Sequence, residues 1–303
     1  MAAITSRVSN FVEGVLYRGR EGHWAFIFHR VSGLAILFFL AIHIVDTSFV
    51  AWWPEAYGEA IRLYSSPVFL ISEYALFAAI IYHGLNGLNI VIKDAFPGWW
   101  SKHLEKNSFW KVISLSVLAW LPAAYFVTRN LIGYFTGVRE AAPSVIYVTE
   151  AANYVIAAVC IVVLGVLAYG GVLNPEVTAK APRYVAMPGR NFETWSWLFM
   201  RWSGALLVFL VWAHVLANAL LTGAHHITLA YVSERWANAF TRGSTFAILL
   251  FAFMHGMNGL RFVLGDYVHG ARWQKLINFV LFIAWVVITG FGLYALTIGV
   301  KTA

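Results

Sequence analysis

Residues 254–267 read Met254-His255-Gly256-Met257-Asn258-Gly259-Leu260-Arg261-Phe262-Val263-Leu264-Gly265-Asp266-Tyr267. A histidine stands inside an apolar run, glycines follow it one and four residues on, and an Asp-Tyr pair closes the stretch. The same order occurs earlier, at His83-Gly84-Leu85-Asn86-Gly87, and in each copy an aspartate (Asp94 or Asp266) follows the histidine by eleven residues. One histidine in an apolar helix is a weak clue. Two copies in register point to one structural unit used twice, with a shared task for the two imidazoles.

The repeat extends upstream. His29-Arg30-Val31-Ser32-Gly33 precedes the first copy and Arg201-Trp202-Ser203-Gly204 the second, and a further histidine, His43 or His214, follows each arginine by thirteen residues. Arg30 and Arg201 are 171 residues apart, and His83 and His255 are 172 apart. A period that constant marks an internal duplication.

Composition sets the environment. Of 303 residues, 60% are hydrophobic and only 12% charged, with a mean hydropathy of +0.70, far from a soluble domain. Apolar runs long enough to cross a bilayer lie at about 28–53, 67–92, 110–135, 145–173, 197–221, 237–264 and 273–300. The fold class is therefore all-α: a polytopic membrane bundle of about seven helices, two parallel three-helix repeats plus a linking helix. The boundaries expected are an interfacial segment over 1–27, a first repeat over 28–135, a linking span and cytoplasmic linker over 136–196, and a second repeat over 197–303. Pro122 is expected to kink the third span. His103 and the basic residues Lys102 and Lys106 are read as a loop after the second span.

The net charge of +7 is informative by where it sits, and it is not read as a nucleic-acid signal. With the N-terminus and every second loop on one side, that side holds fifteen of the 21 Lys and Arg, among them Arg30, Lys93, Lys180, Arg201 and Arg272. The bias places the N-terminus in the cytoplasm, and seven crossings send the C-terminus outside. No apolar signal-peptide region is visible in the first 25 residues, so no cleavable signal is expected. Cys160 is the single cysteine, which excludes an iron–sulfur cluster or cysteine zinc site built by this chain alone. The C-x-x-C-H signature of covalent haem attachment is absent, as are the P-loop and the dinucleotide fingerprint.

Histidine inside a spanning helix is expensive and ordinarily marks function. His83 and His255 lie eleven residues, about 16 Å, before an aspartate at the cytoplasmic end; His43 and His214 lie thirteen residues, about 20 Å, beyond an arginine at a cytoplasmic helix start. Equal depth on two helices allows each pair to clamp one metal, as bundles do for haem. The expectation is two b-type haems, an inner one on His83 and His255 and an outer one on His43 and His214. Gly87 and Gly259 share a helix face with those histidines and leave room for a porphyrin or a close helix neighbour. Ser32/Gly33 and Ser203/Gly204 serve plain helix packing as readily. His29, His103, His225, His226 and His269 sit at span ends or in loops, where solvated or interfacial roles are expected.

With these motifs in hand, the chain resembles the membrane-anchor cytochrome b subunits of succinate dehydrogenase and fumarate reductase. The first half resembles the larger anchor, through H-R-x-S-G at 29–33 and Y-H-G-L-N-G at 82–87. The second resembles the smaller, through A-F-T-R at 239–242 and G-D-Y at 265–267, as if two anchors were joined in one chain. The resemblance implies a flavoprotein and an iron–sulfur subunit on the cytoplasmic side of the plasma (inner) membrane. It also implies a quinone site at that face, carried by Arg30, Asp266 and Tyr267. Arg30 and Arg201 are also candidates for haem-propionate pairing. Family members of the ubiquinone type carry a serine four residues before the arginine, where this chain has Phe26. No flavin or succinate-binding apparatus is visible, so succinate oxidation is not expected in this chain by itself. Two other readings compete: the cytochrome b anchor of another quinone-linked dehydrogenase, and a transporter relaying protons through buried histidines.

Overall fold

The computed structural model describes residues 20–96, 102–137 and 192–301. Eight α-helices order this part of the chain: α1 (Glu21–Ser48), α2 (Pro54–Tyr64), α3 (Pro67–Ala95), α4 (Lys102–Thr136), α5 (Phe192–Val215), α6 (Leu229–Ala237), α7 (Ala239–Tyr267) and α8 (Ala271–Ile298). Six of them, with their short extensions, are long and apolar enough to cross a membrane. The expected crossing at 145–173 lies outside the described residues, as do the proposed interfacial segment before residue 20 and His103's side chain.

The helix boundaries follow local chemistry. Pro54 and Pro67 open α2 and α3 at a position where a missing N–H costs nothing. Asn238 caps α7 by accepting from the backbone N–H groups of Phe240 and Thr241, both at 3.0 Å. Gly299, at φ +88°, ends α8 in a left-handed conformation that a side chain would resist. Two expectations shift. The first span's helix begins at Glu21 rather than 28, so His29 lies inside it. Lys102 and Lys106 belong to the start of α4, not to a loop. Pro122, where a kink was expected, lies inside the single helix α4; neighbouring backbone and side chains take up the freed carbonyl in such helices.

Four helices, α1, α3, α5 and α7, pack in a ring, each touching one neighbour from its own half and one from the other. The His-Gly steps set the cross-half approach. A Cβ on Gly256 would stand 2.7 Å from Leu37, and one on Gly84 would stand 3.6 Å from Val208. Leu37 and Val208 are equivalent positions in the repeat, so the duplication is carried into the packing. Small residues bring membrane helices close where no hydrophobic effect separates helix from lipid. The third helices break the symmetry: α8 packs on α7 and across on α1, whereas α4 packs on α3 and α1. The apolar core is accordingly split. One cluster, with Leu37, Ile44, Leu249, Phe253 and Ala295, fills α1–α7–α8; a smaller one, with Phe77, Ile81, Val127 and Leu220, fills α3–α4 and the end of α5.

The two halves run parallel. Arg30 of α1 pairs with Asp266 at the end of α7, and Arg201 of α5 pairs with Asp94 at the end of α3. At the opposite end, the Lys301 backbone N–H donates to Val50 O at 2.9 Å. Val127, in the last third of α4, packs with Leu220 of the Leu216–Thr222 turn that follows α5, so α4 runs toward the face of the bundle opposite the start of α5 at Phe192.

Candidate functional site

A cavity of about 1150 Å³ runs along the axis of the ring, and all four histidines singled out by the repeat line it. That volume lies above the usual range of about 300–1,000 Å³ for small-molecule pockets. Gly87 and Gly259 line it too. A Cβ at either would meet only ordinary contacts, 3.6 Å to His29 and 3.7 Å to Met200, again equivalent positions in the repeat.

The histidines meet across the halves in two pairs. His83 and His255 have ring centroids 6.4 Å apart and planes at 85°; His43 and His214 have centroids 6.2 Å apart and planes at 71°. Two imidazoles each about 2 Å from a shared metal, with the ring radii added, put centroids at about 6 Å. The separation therefore suits one metal between each pair. No group of three or more His, Cys, Asp or Glu that could hold a metal occurs among the described residues. A metal held by such a pair takes its other ligands from a ring it brings with it, which is what haem does.

The inner pair has its other nitrogens engaged. His83 Nδ1–H donates to the His29 carbonyl at 3.0 Å, with the Ser32 hydroxyl at 3.3 Å. His255 Nδ1 lies 2.9 Å from the Ser203 hydroxyl. Gly33 and Gly204 admit these rings against the backbone: a Cβ at Gly33 would be 2.7 Å from His83 Cε1, and one at Gly204 3.3 Å from His255 Cε1. The Ser-Gly steps, ambiguous in sequence, thus form the seats of the inner histidines. His29, expected at the solvated end of the span, instead stacks on His83 at 4.0 Å with planes 5° apart, and its buried Nδ1 has no hydrogen-bond partner among the described residues. A buried ring nitrogen without a protein partner on a cavity wall is open to a polar group of a ligand.

The outer pair sits in a different polar setting. His43 Nδ1 is 3.9 Å from Asp46 Oδ1, and Asp46 also accepts from the Tyr64 hydroxyl. Burial, then that hydrogen bond, pushes the Tyr64 phenol above its ordinary range, so it stays a donor. Asn218 donates to the His214 carbonyl at 2.8 Å and accepts from Tyr231 at 2.9 Å. Directly after His214 the helix widens into a π turn, Leu216–Thr222, a feature frequent at functional sites. Glu73 of α3 lines the same cavity. The sequence reading passed over it, although a carboxylate inside an apolar span is itself a signal.

At the bundle face that carries the two Arg–Asp pairs, each repeat places an aromatic residue under its arginine: the Arg30 guanidinium carbon lies 3.9 Å from the Phe26 ring centroid and that of Arg201 4.5 Å from the Trp197 ring centroid. Arg30 and Arg201 line the cavity and also pair across the halves with Asp266 and Asp94. Tyr267 is exposed at the end of α7, next to Asp266 in the chain. The second-half motif residues outside the cavity have structural partners. Arg261 grips both Glu193 carboxylate oxygens at 2.8 Å and Asn258 at 3.0 Å. Arg242, of A-F-T-R, donates to the carbonyls of Leu296 and Thr297 at the end of α8.

The family of succinate dehydrogenase/fumarate reductase transmembrane subunits matches residues 14–123 and 182–292. The chain belongs to that family. The two matched stretches fall on the two copies of the repeat. The succinate dehydrogenase 2 membrane subunit SdhC of Mycobacterium tuberculosis (strain ATCC 25618 / H37Rv) is 32% identical over 122 residues, 40% of this chain and 87% of that protein. A relative that fits nearly whole into 40% of this chain leaves room for a second unit of the same size. No solved structure matches. The protein is thus a multi-pass membrane anchor subunit of the succinate dehydrogenase/fumarate reductase type.

Proposed function

We propose that this anchor is a di-haem cytochrome b that passes electrons between an iron–sulfur subunit on the cytoplasmic side and membrane quinone. The observation that carries the reading is the cross-half pairing of four imidazoles, at 6.4 and 6.2 Å, along one cavity. His83 and His255 hold the inner haem, His43 and His214 the outer. When bound, the haems would supply one-electron carriers. The chain's own residues do the rest. Gly33 and Gly204 seat the inner rings, Gly87 and Gly259 keep the cavity open, and Arg30 and Arg201 set positive charge where acidic groups of a ligand would lie.

Quinone binds near the inner haem, at Arg30, Asp266 and Tyr267. A guanidinium and a phenol can both donate to a quinone carbonyl, and Asp266 holds the arginine in place. Phe26 stacks on that guanidinium, in the position where ubiquinone-type family members carry a serine. Flavoprotein and iron–sulfur partners dock at this face, the N-terminus lies in the cytoplasm and the C-terminus outside the plasma membrane. Succinate chemistry belongs to the partners.

The test is the purified complex. We expect it to contain a flavoprotein and an iron–sulfur protein and to show a reduced-minus-oxidised b-type α band. Tyr267→Phe should raise KM for quinone about ten-fold or more while leaving the haem spectrum and dye-linked succinate oxidation unchanged. A chain without haem, which a proton-relay transporter would be, contradicts the reading.

A further inference from the structure

The inner histidines differ in what fixes their tautomer. The atom 3.0 Å from His83 Nδ1 is the carbonyl oxygen of His29, which can only accept, so Nδ1 carries the proton and Nε2 keeps its lone pair. Among the described residues no carbonyl serves His255 in this way; its Nδ1 meets the Ser203 hydroxyl at 2.9 Å. A hydroxyl can donate or accept, but this one is committed. Ser203 Oγ lies 2.6 Å from the Phe199 carbonyl, one turn back, which must receive its proton. The oxygen that remains can only accept from His255. Ser203 is 2% exposed, so water does not take the place of either contact. Ser32 is built alike, donating to the Phe28 carbonyl at 2.6 Å, but it is a second acceptor for His83, at 3.3 Å, beside the His29 carbonyl.

We propose that Ser203 is a positioning residue that holds His255 in the Nε2-ligating tautomer and sets the electron donation of that ligand, a task Ser32 shares with the His29 carbonyl for His83. This rests on the di-haem reading. An acceptor on Nδ1–H makes an imidazole a stronger donor and favours the ferric over the ferrous state; outer-shell partners of this kind typically matter by about 10–100-fold. Removing the single acceptor should therefore raise the inner haem's midpoint potential, and removing one of two should raise it less.

The experiment is a redox titration of the whole complex, read on both haems, in wild type, Ser203→Ala, Ser203→Thr and Ser32→Ala. Ser203→Ala is expected to weaken the ferric preference about ten-fold, which is about 59 mV for one electron, with the outer haem unmoved. Ser203→Thr, which keeps the hydroxyl, should stay at the wild-type potential, and Ser32→Ala should shift less than Ser203→Ala. Loss of inner haem in Ser203→Ala but not in Ser203→Thr also supports the assignment. An unshifted Ser203→Ala, equal behaviour of the Ala and Thr variants, or a larger effect at Ser32 would overturn it while leaving the di-haem reading intact. Wild-type complex without haem overturns that reading and the inference together.

Discussion

Gly33 and Gly204 hold equivalent positions but do not leave equal room. A methyl at Gly33 would stand 2.7 Å from His83 Cε1 and 3.1 Å from its Nδ1, whereas at Gly204 the nearest ring atom is at 3.3 Å. The His83 ring cannot retreat: His29 stacks on its face and the His29 carbonyl holds its Nδ1. Gly33→Ala should therefore lower inner-haem retention by about 10–100-fold, and Gly204→Ala should lower it less, read as haem per chain by pyridine haemochrome. The sequence showed these glycines only as small residues, because spacing along one helix says nothing about which ring presses on it from another. His29 was misread for a related reason. Placing it from the edge of the apolar run made it a solvated or interfacial end residue, but the helix starts about two turns earlier, at Glu21. A signal was present: His29 lies four residues before Gly33, on the same helix face.

Between elements, the two Arg–Asp clamps tie α1 to α7 and α5 to α3 across the halves. They are not equally sheltered, since the Asp94 side chain is 19% exposed and that of Asp266 53%. Breaking a sheltered pair strands a charge, whereas an exposed pair contributes about 0–1 kcal/mol. Asp94→Asn is expected to cost about 1–3 kcal/mol, leaving Arg201 without its carboxylate, and so to lower the thermal-inactivation midpoint of the complex. Asp266→Asn should cost under about 1 kcal/mol and act mainly on KM for quinone. Equal loss of stability in the two variants would contradict this ordering. The six described spans were legible, because an apolar run of bilayer length has few other uses; the short helices α2 and α6, which are not apolar runs, were not. Partner choice was less legible: Asp94 and Asp266 read as residues at helix ends, and their arginine partners emerge only with the helices side by side. The π turn after His214 left no mark in the apolar pattern, which is the same for either winding.

At the scale of the molecule, the duplication explains both the symmetry of the ring and its limits. Equivalent residues meet equivalent partners around the cavity, as in Leu37 on Gly256 and Val208 on Gly84, while α4 and α8 dock differently. The parallel halves put Arg20 and Lys301 at opposite faces of the bundle. Reporter fusions should then be cytoplasmic at the N-terminus and external at the C-terminus; both reporters on one side would contradict the topology. The central claim is that each metal is clamped by one histidine from each half. It is tested most directly by haem stoichiometry and α-band position in the complex with His43, His83, His214 or His255 individually changed to Ala. The account predicts two haems per wild-type chain, the same haem lost in His83→Ala and His255→Ala, and the other lost in His43→Ala and His214→Ala. One haem in the wild type, or histidines from the same half losing the same haem, would contradict it.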